Sequence, residues 1–180
     1  RVLPRAPKDL HMPTRVDVQF RSREIQGHGY REGLEVADLV GRDARTVTAM
    51  AFDTARGVTV LFGGGNNGVT YNDTREWNGS TWTQRSVTAP PARWDHAMAY
   101  DSTRGVTVLF GGVGGAVFGD TWEWNGAAWN QRFVSGPSPR FDQGMAYDSA
   151  RGVIVLFGGN TNGAYSDETW EWNGTAWTQR

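Results

Sequence analysis

Residues 97–112 read AMAYDSTRGVTVLFGG, and the same passage stands at 49–64 as AMAFDTARGVTVLFGG and at 144–159 as GMAYDSARGVIVLFGG. Asp53, Asp101 and Asp148 mark the spacing, 48 and then 47 residues. After a variable Gly-rich stretch, each copy leads into a second shared passage: TREWNGSTWTQR from Thr74, TWEWNGAAWNQR from Thr121 and TWEWNGTAWTQR from Thr169. A period of this length means stacked or radial units, none of which buries its apolar face alone. The second and third copies of the first passage differ at 3 of 16 positions. That reads as recent duplication and favours a scaffold over finely differentiated units.

Within one copy, strand and turn chemistry alternate. Residues 97–100 alternate small and large and read as a short strand. Asp101 is placed to accept the backbone N–H groups ahead of it and Gly105 to supply a positive φ, so 101–105 is a turn with Arg104 at the surface. The β-branched and aromatic run VTVLF at 106–110 is a second strand. The diglycine after it marks a close approach of backbones. Residues 121–124 make a third strand, Asn125-Gly126 a two-residue hairpin turn, and 127–131 a fourth strand. Such a sheet has an apolar face and two open edges. Packing sheets face to face about an axis hides the faces, and ring closure limits the edges.

The pattern resembles the kelch repeat, one blade of a β-propeller. The residues that carry the resemblance are Gly63-Gly64, Gly111-Gly112 and Gly158-Gly159, with Trp77, Trp124 and Trp172 and the later Trp82, Trp129 and Trp177. It spans residues 45–180 and implies an all-β chain of four-stranded antiparallel kelch blades, a partial propeller with three units at 45–92, 93–139 and 140–180. Propellers typically close with four or more blades. The chain is therefore expected to be a fragment, to draw a further unit from residues 1–44, or to close by association. Kelch units often carry Arg with a following polar residue in the first strand. Here the pairs are Arg45 with Thr48, Arg93 with His96 and Arg140 with Gln143. Some kelch-like proteins are isomerases, lyases or oxidases. The cysteine–tyrosine copper centre of one such oxidase is closed to a chain without Cys.

Residues 1–44 hold no Trp and no diglycine. Residues 16–20 alternate as a strand, and Leu34, Val36, Ala37 and Val40 fall on one helical face. This segment reads as a cap, a degenerate blade or the end of a preceding domain. Its opening residues lack the layout of a signal peptide. In the whole chain, hydrophobic residues are only 38%, but nine Trp and eight Phe raise the area each buried residue brings. A net charge of −1 with dispersed arginines gives no nucleic-acid footprint. No apolar run reaches the length of a membrane span. The absence of Cys excludes disulfides and thiolate chemistry and leaves the compartment open between cytoplasm and bacterial surface.

Candidate sites divide into packing and recognition. Glu123 and Glu171, each between two Trp, point away from the indoles, into solvent or toward a neighbouring Arg. The three histidines His11, His28 and His96 are scattered, so no metal or other cofactor is expected, and no P-loop or nucleophile elbow occurs. His96 is the one polar residue unique to a repeat that an enzyme could use. The remaining signal is surface recognition. Loops 65–73, 113–120 and 160–168 differ while their flanks repeat, and each brings one aromatic: Tyr71, Phe118 or Tyr165. Arg45, Arg93-Trp94 and Arg140-Phe141 open the first strands; these arginines serve either as contacts or as partners of buried carbonyls. The function expected is non-enzymatic: a scaffold offering loops to a protein or carbohydrate ligand. Self-association through open edges to a homo-oligomer, such as a six-bladed dimer ring, and an enzyme at the central opening are the alternatives.

Overall fold

Each repeat folds as a four-stranded antiparallel meander. The first sheet runs Met50–Asp53, Val58–Phe62, Thr74–Trp77 and Trp82–Arg85. The second runs Ala97–Asp101, Val106–Phe110, Thr121–Trp124 and Trp129–Arg132, and the third Gly144–Asp148, Val153–Phe157, Thr169–Trp172 and Trp177–Gln179. A small antiparallel sheet joins Leu34–Glu35, Thr46–Val47, Gly65–Asn66 and Val69–Thr70. The computed structural model describes residues 34–35, 45–47 and 49–180, and among them there is no helix. The strand expected at 16–20, most of the helical face at 32–40, and His11, His28 and Thr48 lie outside the described residues. Leu34 and Glu35 are extended rather than helical, because they pair with Val47 and Thr46. Ladder pairing outweighs a weak local propensity.

The turns follow their side chains. Asp101 Oδ1 accepts from the N–H groups of Thr103 (3.0 Å) and Arg104 (2.9 Å), and Gly105, at φ +67°, donates to the Asp101 carbonyl. Between the third and fourth strands the expected two-residue turn is instead four residues, 125–128, because Trp124 pairs with Trp129. Asn125 Oδ1 takes the N–H groups of Ala127 and Ala128, which removes both from the ladder.

Packing between sheets repeats as regularly as the sequence. One core holds Ala51, Val60 and Phe62 of the first sheet against Met98, Leu109, Trp124 and Trp129 of the second. The next holds Ala99, Val108 and Phe110 of the second against Leu156, Trp172 and Trp177 of the third. Phe62 meets Trp129 edge-on at 5.3 Å, and Phe110 meets Trp177 at 5.3 Å. The indoles are also hydrogen-bonded across each interface. Trp124 Nε1 donates to Glu76 (3.0 Å) and Trp129 Nε1 to Thr74 (2.8 Å). One repeat on, Trp172 Nε1 donates to Glu123 (3.1 Å) and Trp177 Nε1 to Thr121 (2.9 Å). Truncating one such buried Trp would cost about 3–5 kcal/mol from the cavity, before counting the acceptor it orphans.

The turn arginines stay at the surface as expected, Arg56 and Arg151 exposed and Arg104 half-buried, but they are paired rather than free. Arg104 bridges Asp101 of its own turn to Glu123 (2.8 Å), whose other oxygen takes Arg132 Nε (2.7 Å). Arg56 bridges Asp53 to Glu76 in the same way. Burial disfavours the Arg56 charge, but the bonds to Glu76 and Asp53 outweigh it and raise its pKa. The middle Glu therefore faces the next sheet, where a half-buried cation network compensates it.

Candidate functional site

The diglycines, the starts of the first strands and the variable loops gather at one end of the sheets, because they all lie at the same strand termini. Arg45, Arg93 and Arg140 organise this end. Each is buried, at 2%, 0% and 0% exposure. Arg93 Nη1 donates to the Gly111 carbonyl (3.0 Å), Nε to the Pro91 carbonyl (3.0 Å), and the fork grips both oxygens of Asp120 (2.5 and 2.9 Å). Arg45 binds the Gly63 carbonyl and grips both oxygens of Asp73 in the same manner, whereas Arg140 binds the Gly158 carbonyl but reaches a single oxygen of Glu168 and adds the hydroxyls of Ser138 and Ser166. Their backbones reach the other way. Gly64 N donates to the Arg93 carbonyl (2.9 Å) and Gly112 N to that of Arg140 (2.8 Å). Arg93 and Arg140 thus each tie their own sheet to the preceding one.

That double use explains the diglycine. Gly111 has φ +69°, and a Cβ there would stand 2.4 Å from the Arg140 carbonyl oxygen. Only glycine permits both the left-handed backbone and the approach. The carboxylates respond to the same cations. Burial raises Asp120 and Asp73, but hydrogen bonds from Arg93 and Arg45 outweigh it and hold both below the usual carboxylate range. Glu168 is lowered first by its bond from Arg140.

The candidate residues from sequence separate into two groups. Arg45, Arg93 and Arg140 are enclosed, with Tyr71 and Phe118 stacked on the first two guanidinium groups at 4.1 and 4.0 Å. Tyr165 is not their counterpart. The backbone bond from Tyr71 to Gly64 and from Phe118 to Gly112 is made in the third repeat by Ser166 to Gly159, and Ser166 Oγ takes the hydrogen bond from Arg140. Tyr165 is displaced by one residue and stands 81% exposed. Trp94 is 40% exposed against the preceding loop at Gly65, and Phe141 is half-buried at the equivalent place. Loop ladders of the same kind hold both: Trp94 pairs with Val113 and Val113 with Val117; Phe141 pairs with Asn160 and Asn160 with Tyr165.

His96 is buried, edge-on to Phe62 at 5.7 Å, and neither ring nitrogen has a hydrogen-bond partner. Burial, with the Arg93 charge adding, pushes its pKa down to about 3, so the imidazole is neutral. Gln143, its counterpart, donates to the Phe110 carbonyl at 2.8 Å. Two residues that the sequence did not single out are Asp95 and Asp142. Both have left-handed φ (52° and 62°), and Asp142 N donates to the Asp95 carbonyl at 2.9 Å. The only prior signal was that Asp tolerates this conformation better than most residues.

Between the second and third loops runs a shallow groove of about 700 Å³, lined by Val113, Gly114, Val117, Pro139, Thr161 and Asn162. Among the described residues, no cluster of His, Asp and Glu is arranged to hold a metal ion, and no helix is long and apolar enough to cross a membrane. What this end offers is exposed aromatic surface and loop backbone on a cross-braced base. No protein-family model matches the chain, and no curated protein matches its sequence.

Proposed function

We propose that the chain is a kelch-type β-propeller segment that binds rather than catalyses, presenting its loop end to a protein or carbohydrate partner. One observation carries the reading: a frame braced by buried, carboxylate-paired arginines repeats beneath loops that do not repeat. Asp73, Asp120 and Glu168 at this end are engaged internally, each pairing with an Arg. Free surface is left to Trp94, Tyr165 and Val69, all at least 40% exposed. Aromatics that are rigid and amphipathic are the usual anchors of such contacts. The first strands of the three repeat sheets lie side by side along a groove lined by Phe52, Tyr100 and Tyr147. That convergence favours a radial over a linear stack.

The test titrates the chain with soluble polysaccharides and with peptide panels, following Trp fluorescence, and repeats it with Trp94→Ala plus Tyr165→Ala. A ligand should be found, and the double variant should weaken it by about tenfold or more, ~1.4 kcal/mol, with an unchanged thermal midpoint. Wild-type affinity in the folded double variant would overturn the reading.

A further inference from the structure

We propose that the groove between the second and third loops is where the loop end holds its ligand, and that this ligand is a neutral oligosaccharide. This rests on the loop end being a binding surface and adds to it a place and a chemical class.

The groove, about 700 Å³ in volume, draws on three segments. The loop of the second sheet contributes residues 113–117, the loop of the third sheet Thr161 and Asn162, and the segment joining the two sheets Ser138 and Pro139. None of these residues is ionisable. The cation bonded to Ser138, Arg140, is fully buried and already paired with Glu168. A charged ligand would give up its hydration here and find no opposite charge in exchange.

The polar groups of the groove have fixed directions. Ser138 Oγ accepts from Arg140 Nη2 at 2.9 Å, and a guanidinium only donates, so the serine hydrogen is left to donate outward. Thr161 Oγ1 spends its hydrogen on the Ala164 carbonyl at 3.1 Å and keeps its lone pairs as acceptors. Asn162 is exposed, and among the described residues its side-chain amide has no partner, so it offers both functions. A donor, an acceptor and an amide beside the apolar Val113, Val117 and Pro139 match a sugar ring, whose hydroxyls donate and accept around a C–H face. An exposed ring is tied to each side for stacking on such a face: the backbone of Trp94 pairs with Val113 and that of Tyr165 with Asn160. The junction of the first and second sheets lacks this set, because Pro91 stands where Ser138 does and has no hydroxyl. An extended peptide would need an open row of backbone donors and acceptors. Here the loop backbone closes on itself, Val113 with Val117, Gly114 N to the Ala116 carbonyl (2.9 Å) and Thr161 N to that of Ala164 (2.8 Å).

The experiment records amide NMR spectra of the full chain against cello-, manno-, xylo- and maltohexaose, with hexamers of galacturonate and of glucosamine as charged controls. At least one neutral hexaose should shift the amides of Gly114, Gly115, Thr161 and Asn162 and leave the hairpin turn at 125–128 unmoved. Asn162→Gly removes the amide and keeps the left-handed backbone (φ +66°), and Ser138→Ala removes the donor. Each should weaken that sugar about tenfold, with the amide pattern of the sheets intact. The proposal is overturned if no neutral hexaose acts at about 10 mM, if a charged hexamer binds as tightly, or if both folded variants keep wild-type affinity. A peptide that shifts Trp94 or Tyr165 where no sugar does would also overturn it while leaving the loop end a binding surface. A chain that takes neither would remove both readings.

Discussion

Arg93→Met removes a charge from a site with no exposed surface and leaves its partners in place. The lost contacts are the fork on Asp120 (2.5 and 2.9 Å), the donors to the Gly111 and Pro91 carbonyls (3.0 Å each) and the stack on Phe118. Removing one member of a buried pair costs about 3–5 kcal/mol. Asp120 keeps the indole N–H of Trp122 at 2.7 Å and some access to water, which moves the pair toward the lower figure. Orphaned carbonyls add about 1 kcal/mol, and Met fills enough volume to keep the cavity cost small. The expected loss is about 4 kcal/mol, a midpoint drop of about 8–16 °C for a chain this long. Arg93→Lys should fall between, since an ammonium cannot make the two-point grip. Thermal and urea unfolding followed by Trp fluorescence measure both. A loss under about 1 kcal/mol, with a folded protein that no longer binds its ligand, would make Arg93 a surface contact and refute the bracing role.

Two further outcomes follow from the same geometry. Gly111→Ala should destabilise by well over the ~1 kcal/mol expected of Gly105→Ala, because both have positive φ but only Gly111 would press a Cβ on a carbonyl; equal midpoints in thermal scans would contradict this. His96 is depressed to about 3 when folded, against 6.5 when free, so its contribution is whole above pH 6.5 and is lost as pH falls toward 3. His96→Gln, which copies Gln143, should flatten the stability profile through that window in urea titrations at stepped pH, leaving only the carboxylate losses at lower pH. Identical profiles would contradict it.

Much of the frame is legible in the sequence because strand chemistry is local. VTVLF, the Asp–Gly turn and the diglycine each impose their own backbone, and the sheets form where those residues stand. The site is less legible because its contacts cross between repeats. Nothing in the order of residues shows that Glu76 accepts from an indole 48 positions later. Matching one aromatic per loop aligns Tyr165 with Tyr71 and Phe118, but a backbone bond assigns that place to Ser166. Asn125-Gly126 predicts a two-residue hairpin turn because that pair commonly makes one; the Asn side chain, by taking two N–H groups, lengthens it.

The repeated interface itself is open to one measurement: indole N–H hydrogen exchange by NMR on the full chain. Trp124, Trp129, Trp172 and Trp177 should be strongly protected, and Trp77, Trp82 and Trp94 should exchange fast. Comparable rates for the two groups would mean that the sheets are not joined through buried, hydrogen-bonded indoles.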